Sequence, residues 1–264
     1  MWYKYNYNKR KGGTFLQDMD TNINTYEDSK KKILIVDDER AISDLLVFQL
    51  EKEGYNTITA EDGEQACKLA NEQKPDLILL DIMLPKMDGL TVCKKVRQTQ
   101  PKTPIIMLSA KGEEIDKILG LEIGADDYMT KPFSVRELIA RVKANLRKVE
   151  QNEFDSNNQG LRDNKIVVGD LTLDLDKFEV EVRNQKVTDL TRREFEVLRY
   201  LAQKPSQVVT REDLLEKVWG YEYYGDIRTV DVTIRRIREK IEKNTANPKI
   251  LITKRGVGYY IESK

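Results

Sequence analysis

The sequence predicts an α/β domain built on a doubly wound, five-stranded parallel sheet, followed by a smaller α+β domain. Over residues 31–150, short apolar runs alternate with amphipathic stretches, and strands that are apolar throughout are typical of a parallel sheet covered on both faces. Over residues 165–264, period-two alternation gives way to helices and a final hairpin, which indicates a second, antiparallel architecture.

The first domain is expected to contain five β–α units, because each apolar run is followed by residues at helical spacing. The expected strands are 33–36, 55–60, 77–80, 105–109 and one ending near 129. The expected helices are 42–53, 64–72, 90–98, 115–123 and 135–149. Gly54 fits the position that ends the first helix as a C-cap.

The second domain is predicted to follow a flexible linker over residues 151–164, which are rich in Asn, Gln, Asp and Gly. Residues 165–190 alternate apolar and polar side chains and are expected to form an antiparallel sheet of short strands. The predicted helices of this domain span 191–203, 210–219 and 229–243. The chain is expected to close with a β-hairpin that pairs 250–253 with 258–261.

The composition excludes several kinds of site. The chain has 264 residues and no histidine, which excludes a histidine-based zinc site and a phosphohistidine. Cys67 and Cys93 fall in helical stretches and are expected to be reduced, buried thiols of a cytoplasmic protein. No apolar run approaches the roughly 20 residues of a membrane span, so no membrane partner is expected. The formal net charge is zero, so nucleic-acid binding requires a local basic patch.

Residues 1–30 are predicted to be disordered or an upstream extension. They are basic and Asn-rich and lack the apolar core of a signal peptide. Lys11-Gly12-Gly13 is what a purine-rich ribosome-binding site encodes when it is translated, and Leu16 or Met19 follows at about initiation distance. We therefore expect the natural protein to start near there, which mass spectrometry of its native N-terminus tests.

Acidic side chains stand at the predicted ends of two strands. Asp37 and Asp38 follow the first strand, and Asp81 ends the third. In an open parallel sheet, ligands bind beyond the carboxyl ends of the strands, where the strand order reverses. Converging carboxylates repel one another, and a hard cation such as Mg²⁺, which prefers oxygen ligands, removes that conflict. The predicted Mg²⁺ ligands are Asp37, Asp38, Asp81 and the backbone carbonyl of Met83.

Asp81 is the predicted nucleophile, because a carboxylate that attacks phosphorus forms an acyl phosphate. It stands alone at its strand end, and Pro85 and Gly89 bracket an open loop after it. Lys131, after the fifth strand, is a candidate point charge for phosphoryl oxygens, and Ser109, ending the fourth, is a candidate hydroxyl donor. Taken singly, each of these residues is more often a helix cap, a turn former or a surface group. Because they occur in order at the ends of successive strands, a site that binds a metal ion and a phosphoryl group is favoured.

The last predicted helix, 229–243, carries a basic side. Arg235 and Arg238 share one side of it, while isoleucines occupy another. A helix fits the major groove of DNA, where arginine reads guanine. Lys254 and Arg255 at the hairpin tip are placed to reach phosphates or a minor groove. Basic helices are often only solvated, so this pattern by itself leaves DNA binding and plain solvation equally open.

Taken together, these motifs resemble the OmpR/PhoB family of two-component response regulators. Residues 31–150 resemble its receiver domain in Val36-Asp37-Asp38-Glu39, Leu80-Asp81-Ile82-Met83-Leu84-Pro85, Leu108-Ser109-Ala110, Gly124-Ala125-Asp126-Asp127-Tyr128 and Lys131-Pro132-Phe133. Residues 165–264 resemble its winged helix-turn-helix domain in Leu190-Thr191, Glu194-Phe195, the stretch 226–238 and Arg255-Gly256-Val257-Gly258-Tyr259. Within the family, the sequence is most similar to the WalR/YycF-like subgroup, which governs cell-wall homeostasis.

The resemblance implies a CheY-like receiver with strand order 2-1-3-4-5 that is not an enzyme in its own right. It implies that a partner sensor histidine kinase phosphorylates Asp81 and that Ser109 and Tyr128 act as paired switch residues. It also implies a homodimer on phosphorylation, through the charged residues Lys117, Glu122, Asp126, Asp127, Glu137, Arg141 and Lys143. Ile123 stands where an acidic residue is common, so one pair across that dimer is expected to be missing.

The resemblance also implies which residues lie at or near double-stranded DNA. In the order of the chain they are Arg228, Thr229, Val232, Thr233, Arg235, Arg236, Arg238 and Arg255, to which the basic hairpin tip adds Lys254. Two copies are expected on tandem half-sites about one helical turn apart. The segment 220–226 is where similar proteins contact RNA polymerase.

Two other functions remain open from the sequence. One is an aspartate-nucleophile phosphatase or phosphotransferase acting on a metabolite, which requires a substrate-binding cap. The loops after the first and third strands are short for such a cap. The other is constitutive DNA binding with a vestigial receiver, in which Asp81→Asn leaves the affinity for the operator unchanged.

Overall fold

The computed structural model describes residues 30–110, 123–157, 164–220 and 227–263, with residues 147–157 described as backbone. The predictions for residues 1–29, for most of the helix at 115–123 and for residues 221–226 therefore lie outside the described residues. Within the described part, no helix combines the length and the apolar character that crossing a bilayer requires.

The first domain has the predicted doubly wound parallel sheet, with strand order β2-β1-β3-β4-β5. Its strands are β1 Lys32–Val36, β2 Asn56–Ala60, β3 Leu77–Asp81, β4 Ile105–Ala110 and β5 Asp127–Lys131. Its described helices are α1 Arg40–Lys52, α2 Gly63–Gln73, α3 Gly89–Thr99 and α4 Val135–Asn157. The reversal of strand order lies at β1 and β3, which pair directly.

Alternate residues of β1 fill two separate cores on the two faces of this sheet. Ile33 and Ile35 are fully buried in a cluster that includes Leu46 of α1 and Leu138 of α4. Leu34 and Val36 are buried in the opposite cluster, which contains apolar residues of α2 and α3. Because successive side chains of a strand point to opposite faces, a continuous apolar run is what a strand covered on both faces requires.

The predicted flexible linker is wrong in its first half. Helix α4 does not end near residue 149 but continues to Asn157. Residues 150–157 contain Glu and Gln, which are good helix formers, and neither glycine nor proline, and the first glycine after them is Gly160. Low apolar content therefore did not indicate loss of helical structure at this point.

The second domain contains two antiparallel sheets around three helices. Strands β6 Lys165–Val168, β7 Leu171–Asp174, β8 Glu179–Val182 and β9 Gln185–Val187 form the first sheet in sequence order. Helices α5 Arg192–Ala202, α6 Arg211–Leu214 and α7 Arg228–Ile241 follow, and a π-helical turn, Leu215–Trp219, extends α6. The second sheet joins β10 Val209–Thr210 to the hairpin of β11 Leu251–Lys254 and β12 Gly258–Ile261, in the order β10-β12-β11.

The core of the second domain explains which side of α7 faces inward. Ile234, Ile237 and Ile241 are buried together with Leu198 of α5 and Trp219. These isoleucines recur at intervals of three and four residues, so they form one apolar stripe on the helix. Apart from Val232, the remaining sides of the helix carry mainly polar and charged side chains.

Candidate functional site

Three carboxylates meet at the carboxyl end of the parallel sheet. Asp37 directly follows β1, and Asp81 ends β3. The two strands are neighbours, and Val36 lies opposite Leu80. One ligand oxygen from each of Asp37, Asp38 and Asp81 lies within 4.8 Å of the others. Asp37 and Asp81 are buried, while Asp38 is exposed. The structure thus brings the three acidic residues together at the point where the strand order reverses.

Lys131 reaches this cluster from the end of β5. Its Nζ lies 2.8 Å from Asp37 Oδ2, 3.2 Å from Asp81 Oδ2 and 3.4 Å from Glu39 Oε1. Glu39, which the sequence did not single out, also donates its backbone N–H to Asp37 Oδ1 over 3.0 Å. The ammonium group therefore occupies the place where a phosphoryl group bound to Asp81 would require a cation.

Ser109 and Tyr128 lie on the adjacent strands β4 and β5, and β4 pairs with the strand that carries Asp81. Leu108, next to Ser109 in β4, is opposite Asp81, and Tyr128 in β5 is opposite Met107. Ser109 and Tyr128 are 3% and 5% exposed, so both side chains are enclosed by the domain. Met83, in contrast, stands in the loop after β3, and its side chain is 71% exposed.

The electrostatics of the cluster leave it with an excess of negative charge. Burial, the largest effect, raises the pKa of the Asp81 carboxyl, Lys131 opposes that shift, and Asp37 adds to it. Burial lowers the pKa of Lys131, but its contacts with Asp37 and Asp81 outweigh burial and raise it, so the amine stays protonated. Asp37 Oδ2 is buried and accepts no aligned hydrogen bond from any described residue, although Lys131 is at ion-pair distance. Because one amine faces several carboxylates, the cluster has oxygen ligands and negative charge to offer a divalent cation.

Gly89, the first residue of α3, is packed against the backbone of Asp81. A Cβ atom at this position would lie 2.0 Å from the carbonyl oxygen of Asp81, far inside any allowed contact. The N–H of Gly89 donates to Ile82 O over 2.8 Å. A glycine is therefore needed to close the loop after β3 onto the site.

We expect Gly89→Ala to shift Asp81 and to slow the predicted Mg²⁺-dependent phosphorylation of Asp81 by roughly tenfold or more, because a small displacement of reacting groups lowers the rate steeply. The control is Gly54→Ala, at a glycine with φ +90 and open space where a Cβ atom would lie. That variant costs about 1 kcal/mol of stability from its backbone conformation. Its phosphorylation rate should match that of the wild type, and equal rates in both variants would contradict the expected displacement of Asp81.

The residues predicted to form a dimer face are mostly paired within the chain. Asp126 Oδ2 lies 2.5 Å from Arg97 Nη2, and Asp127 Oδ1 lies 2.7 Å from Arg141 Nη1. Arg141 also contacts Glu137 at 2.6 Å, and Lys143 contacts Glu53 at 2.5 Å. Lys117 and Glu122 lie outside the described residues. Any pairing with a second copy would therefore have to replace internal ion pairs.

The residues predicted to contact DNA fall into two groups. Arg228, Arg235, Lys254 and Arg255 are exposed. Thr229, Thr233 and Arg236 are buried, and Val232 and Arg238 are half-buried. The second group is therefore held within the molecule in this structure.

Arg238 binds the hairpin of its own domain. Its Nε and Nη2 donate to Leu251 O over 2.9 and 2.7 Å, and Nη2 also donates to Thr253 Oγ1 over 2.7 Å. Burial lowers the pKa of this guanidinium, and the ring of Tyr259 partly offsets that effect. In this structure Arg238 positions α7 against the hairpin.

Arg236 is paired with a carboxylate of α5 that the sequence did not link to it. Glu194 is fully buried, and its Oε1 lies 2.8 Å from Arg236 Nη2. Its Oε2 accepts hydrogen bonds from Lys240 Nζ and from the N–H of Thr191, each over 2.7 Å. The sequence shows Thr191 and Glu194 as a capping pattern at the start of α5. It gives no sign that the same carboxylate anchors two cations of α7.

Two family models match the two domains. Residues 33–143 match the response regulator receiver domain, and residues 184–261 match the C-terminal domain of transcriptional regulatory proteins. A RitR mutant is 30% identical with a TM-score of 0.72, and the match covers 89% of this chain and 100% of that chain. DrrB of Thermotoga maritima, described as an OmpR/PhoB homolog, is 35% identical over 88% of this chain and 99% of that chain, with a TM-score of 0.45. The receiver domain of the Francisella response regulator 1452 is 39% identical over 46% of this chain and 99% of that chain, with a TM-score of 0.44.

Proposed function

Because the chain belongs to the OmpR/PhoB family of two-component response regulators, we propose that a sensor histidine kinase phosphorylates Asp81 and that phosphorylation controls promoter binding. The pairing of a receiver domain with a C-terminal regulatory domain makes the chain a transcription factor of the response regulator type. The observation that carries the proposal is the convergence of Asp37, Asp38, Asp81 and Lys131 at one rim of the sheet.

In the proposed reaction, a carboxylate oxygen of Asp81 attacks the phosphorus of a phosphohistidine on the kinase. A P–O bond to Asp81 forms, the P–N bond breaks, and the imidazole leaves with the bonding electron pair and takes up a proton. Asp37, Asp38, Asp81 and the carbonyl of Met83 would hold Mg²⁺, which would neutralise charge at the phosphoryl oxygens. Lys131, which contacts Asp81 Oδ2 in the structure, is close enough to pair with the new phosphoryl oxygens instead.

The proposed response begins at Ser109 and Tyr128. The Ser109 hydroxyl donates to a phosphoryl oxygen, and the ring of Tyr128 moves into the space that this leaves. Both residues are buried on adjacent strands, which supports a direct mechanical coupling between them. The surface near Asp126, Asp127 and Arg141 then changes, and their internal ion pairs exchange for pairs with a second copy.

The proposed output is binding of double-stranded DNA by α7 and the hairpin tip. The exposed arginines Arg228 and Arg235 support this role, as do Lys254 and Arg255 on the hairpin. Contact of residues 220–226 with RNA polymerase and membership of the WalR/YycF-like subgroup stay as predictions from the sequence.

The first test is incubation of the protein with acetyl phosphate and Mg²⁺, followed by borohydride reduction and mass spectrometry of the peptides. We expect close to one phosphoryl group per chain, located on Asp81, and its loss when the metal is chelated. Continuous release of phosphate over many turnovers would favour the metabolite phosphatase. Absence of any label on Asp81 would overturn the proposal.

A further inference from the structure

The basic side chains of α7 include two that are mostly enclosed by protein, Arg236 and Lys240. Their side chains are 8% and 16% exposed. Burying a charged group costs free energy unless a counter-ion meets it, so each of these cations needs a partner inside the protein. The structure gives both of them the same partner, Glu194 of α5.

Glu194 lies between these two cations. Its Oε1 lies 2.8 Å from Arg236 Nη2, and its Oε2 lies 2.7 Å from Lys240 Nζ. Arg236 and Lys240 are four residues apart in α7, so they share one side of the helix and can face the same group. Glu194 is fully buried, which keeps salt from screening these contacts. One carboxylate of α5 is therefore the common counter-ion of two cations of α7.

The carboxylate of Glu194 is itself fixed in orientation. Oε2 accepts hydrogen bonds from Lys240 Nζ and from the N–H of Thr191, which belongs to the capping box of α5. Lys240 Nζ also donates to Asp189 O over 2.6 Å. Oε1 accepts no aligned hydrogen bond from any described residue, which leaves its acceptor capacity to Arg236. Glu194 is thus a rigid support for the guanidinium of Arg236 rather than a mobile partner.

The guanidinium of Arg236 faces two directions. Nη2 lies against Glu194, while Nη1 donates to Ala125 O, a carbonyl oxygen of the first domain, over 3.5 Å. A carbonyl oxygen is the same kind of acceptor as guanine O6 in the major groove. Arg236 can therefore keep one nitrogen on Glu194 and use another to donate to an acceptor outside its own domain.

We propose that Glu194 is a positioning residue for DNA recognition, because it holds Arg236 with one nitrogen on the carboxylate and another turned toward a base. An arginine that is already ordered loses less conformational entropy on binding than one that is not. The buried carboxylate also offsets the positive charge, which reduces attraction to phosphates of any sequence. Both effects favour the correct base over unrelated DNA. This inference rests on the proposed function, since it requires that α7 binds DNA.

The test removes the buried charge by Glu194→Gln, with Glu239→Gln as the matched control. Glutamine has almost the shape of glutamate, and its amide oxygen can still accept the N–H of Thr191 in the capping box. Glu239 also carries one negative charge in this domain, but it is 51% exposed and pairs with Arg235 on the surface of α7. The two variants therefore have the same net charge and differ in whether Arg236 loses its support.

Two DNA probes are compared on each chain, with Mg²⁺ and beryllium fluoride present throughout. The specific duplex is selected from a random library by the wild-type chain, and the unrelated duplex has the same bases in shuffled order. Fluorescence anisotropy gives both affinities, and their ratio does not depend on anything that changes both equally. Glu194→Gln should lower the ratio roughly tenfold, mainly by weaker binding of the specific duplex, because Arg236 must now be ordered on binding. Glu239→Gln should leave the ratio at the wild-type value.

Arg236→Lys tests the same arrangement without removing a charge. An ammonium group is a point charge and not a planar fork, so it cannot hold Glu194 and a base together in fixed geometry. This variant should therefore lower the ratio about as far as Glu194→Gln does. Renewed selection from the library should show the same position of the site losing its preferred base in both variants, since one side chain reads it.

The outcomes separate this inference from the proposed function. If no duplex is selected or acetyl phosphate does not label Asp81, the proposed function fails and this inference fails with it. If a duplex is selected but Glu194→Gln and Arg236→Lys keep the wild-type ratio, or weaken both duplexes by the same factor, Glu194 only stabilises the domain and the inference alone is overturned. Denaturant unfolding shows which variants are folded. Arg236→Lys keeps both charges of the pair, so its ratio decides the outcome if Glu194→Gln does not fold.

Discussion

Asp81→Asn should incorporate no phosphate from acetyl phosphate and should show no gain in DNA affinity when acetyl phosphate and Mg²⁺ are added. The amide has almost the shape of the carboxylate, but it is a poor nucleophile and carries no charge for a cation. In the wild type, Lys131 Nζ lies 3.2 Å from Asp81 Oδ2, so the substitution removes one of its carboxylate contacts. The measurement is DNA binding by fluorescence anisotropy with and without the phosphodonor, alongside the mass of the intact protein.

Asp88→Asn is the matched control for this variant. Asp88 is an exposed residue that caps α3 by accepting the N–H of Thr91 over 2.9 Å. Asparagine caps helices as well as aspartate, so this variant should take up phosphate and respond like the wild type. If the wild type binds DNA equally well with and without phosphate, and Asp81→Asn does the same, the chain binds DNA constitutively.

Removal of the Glu194 side chain should cause the largest loss of stability in the second domain. In Glu194→Ala, Arg236 and Lys240 would keep their positions without the buried carboxylate that lies 2.8 and 2.7 Å from them. Removing one partner of a buried ion pair lowers the free energy of unfolding by about 3–5 kcal/mol, because the remaining charge is uncompensated. The capping box at Thr191 would also be lost. Denaturant unfolding followed by Trp219 fluorescence measures the effect on this domain.

Glu239→Ala serves as the comparison. Glu239 pairs with Arg235 on the surface of α7, where the two side chains are 51% and 64% exposed. Exposed pairs of this kind contribute about 0.3–0.5 kcal/mol, so the unfolding midpoint should hardly move. Similar losses in the two variants would mean that Glu194 acts only as a helix cap and not as a buried counter-ion.

The parallel sheet of the first domain and the final hairpin of the second were predictable from the sequence because their signals are local. The apolar run at β1 and the hairpin of β11 and β12 each show their pattern within a few residues. The convergence of Asp37, Asp38 and Asp81 also followed, because the strand ends of a parallel sheet share one edge. The π-helical turn at Leu215–Trp219 and the extension of α4 to Asn157 had no such local signal.

The contacts between distant segments could not be read from the sequence. Arg193 and Asn145 are 48 residues apart, and Trp219 and Asp126 are 93 apart. Each of these residues is ordinary in its own helix or loop, and its role depends on how the domains dock. Arg236 illustrates the difference, since the resemblance to the family implied a DNA contact while its partners here are Glu194 and Ala125 O.

The length of α4 limits the length of chain that joins the two domains. Helix α4 runs to Asn157 and β6 begins at Lys165, so seven residues, 158–164, join them in the sequence. Such a segment spans at most roughly 25 Å when fully extended. A connection this short gives each domain an effective concentration of about millimolar at the other, as short linkers generally do. Lengthening this segment should therefore lower the effective concentration of one domain at the other without changing any contact.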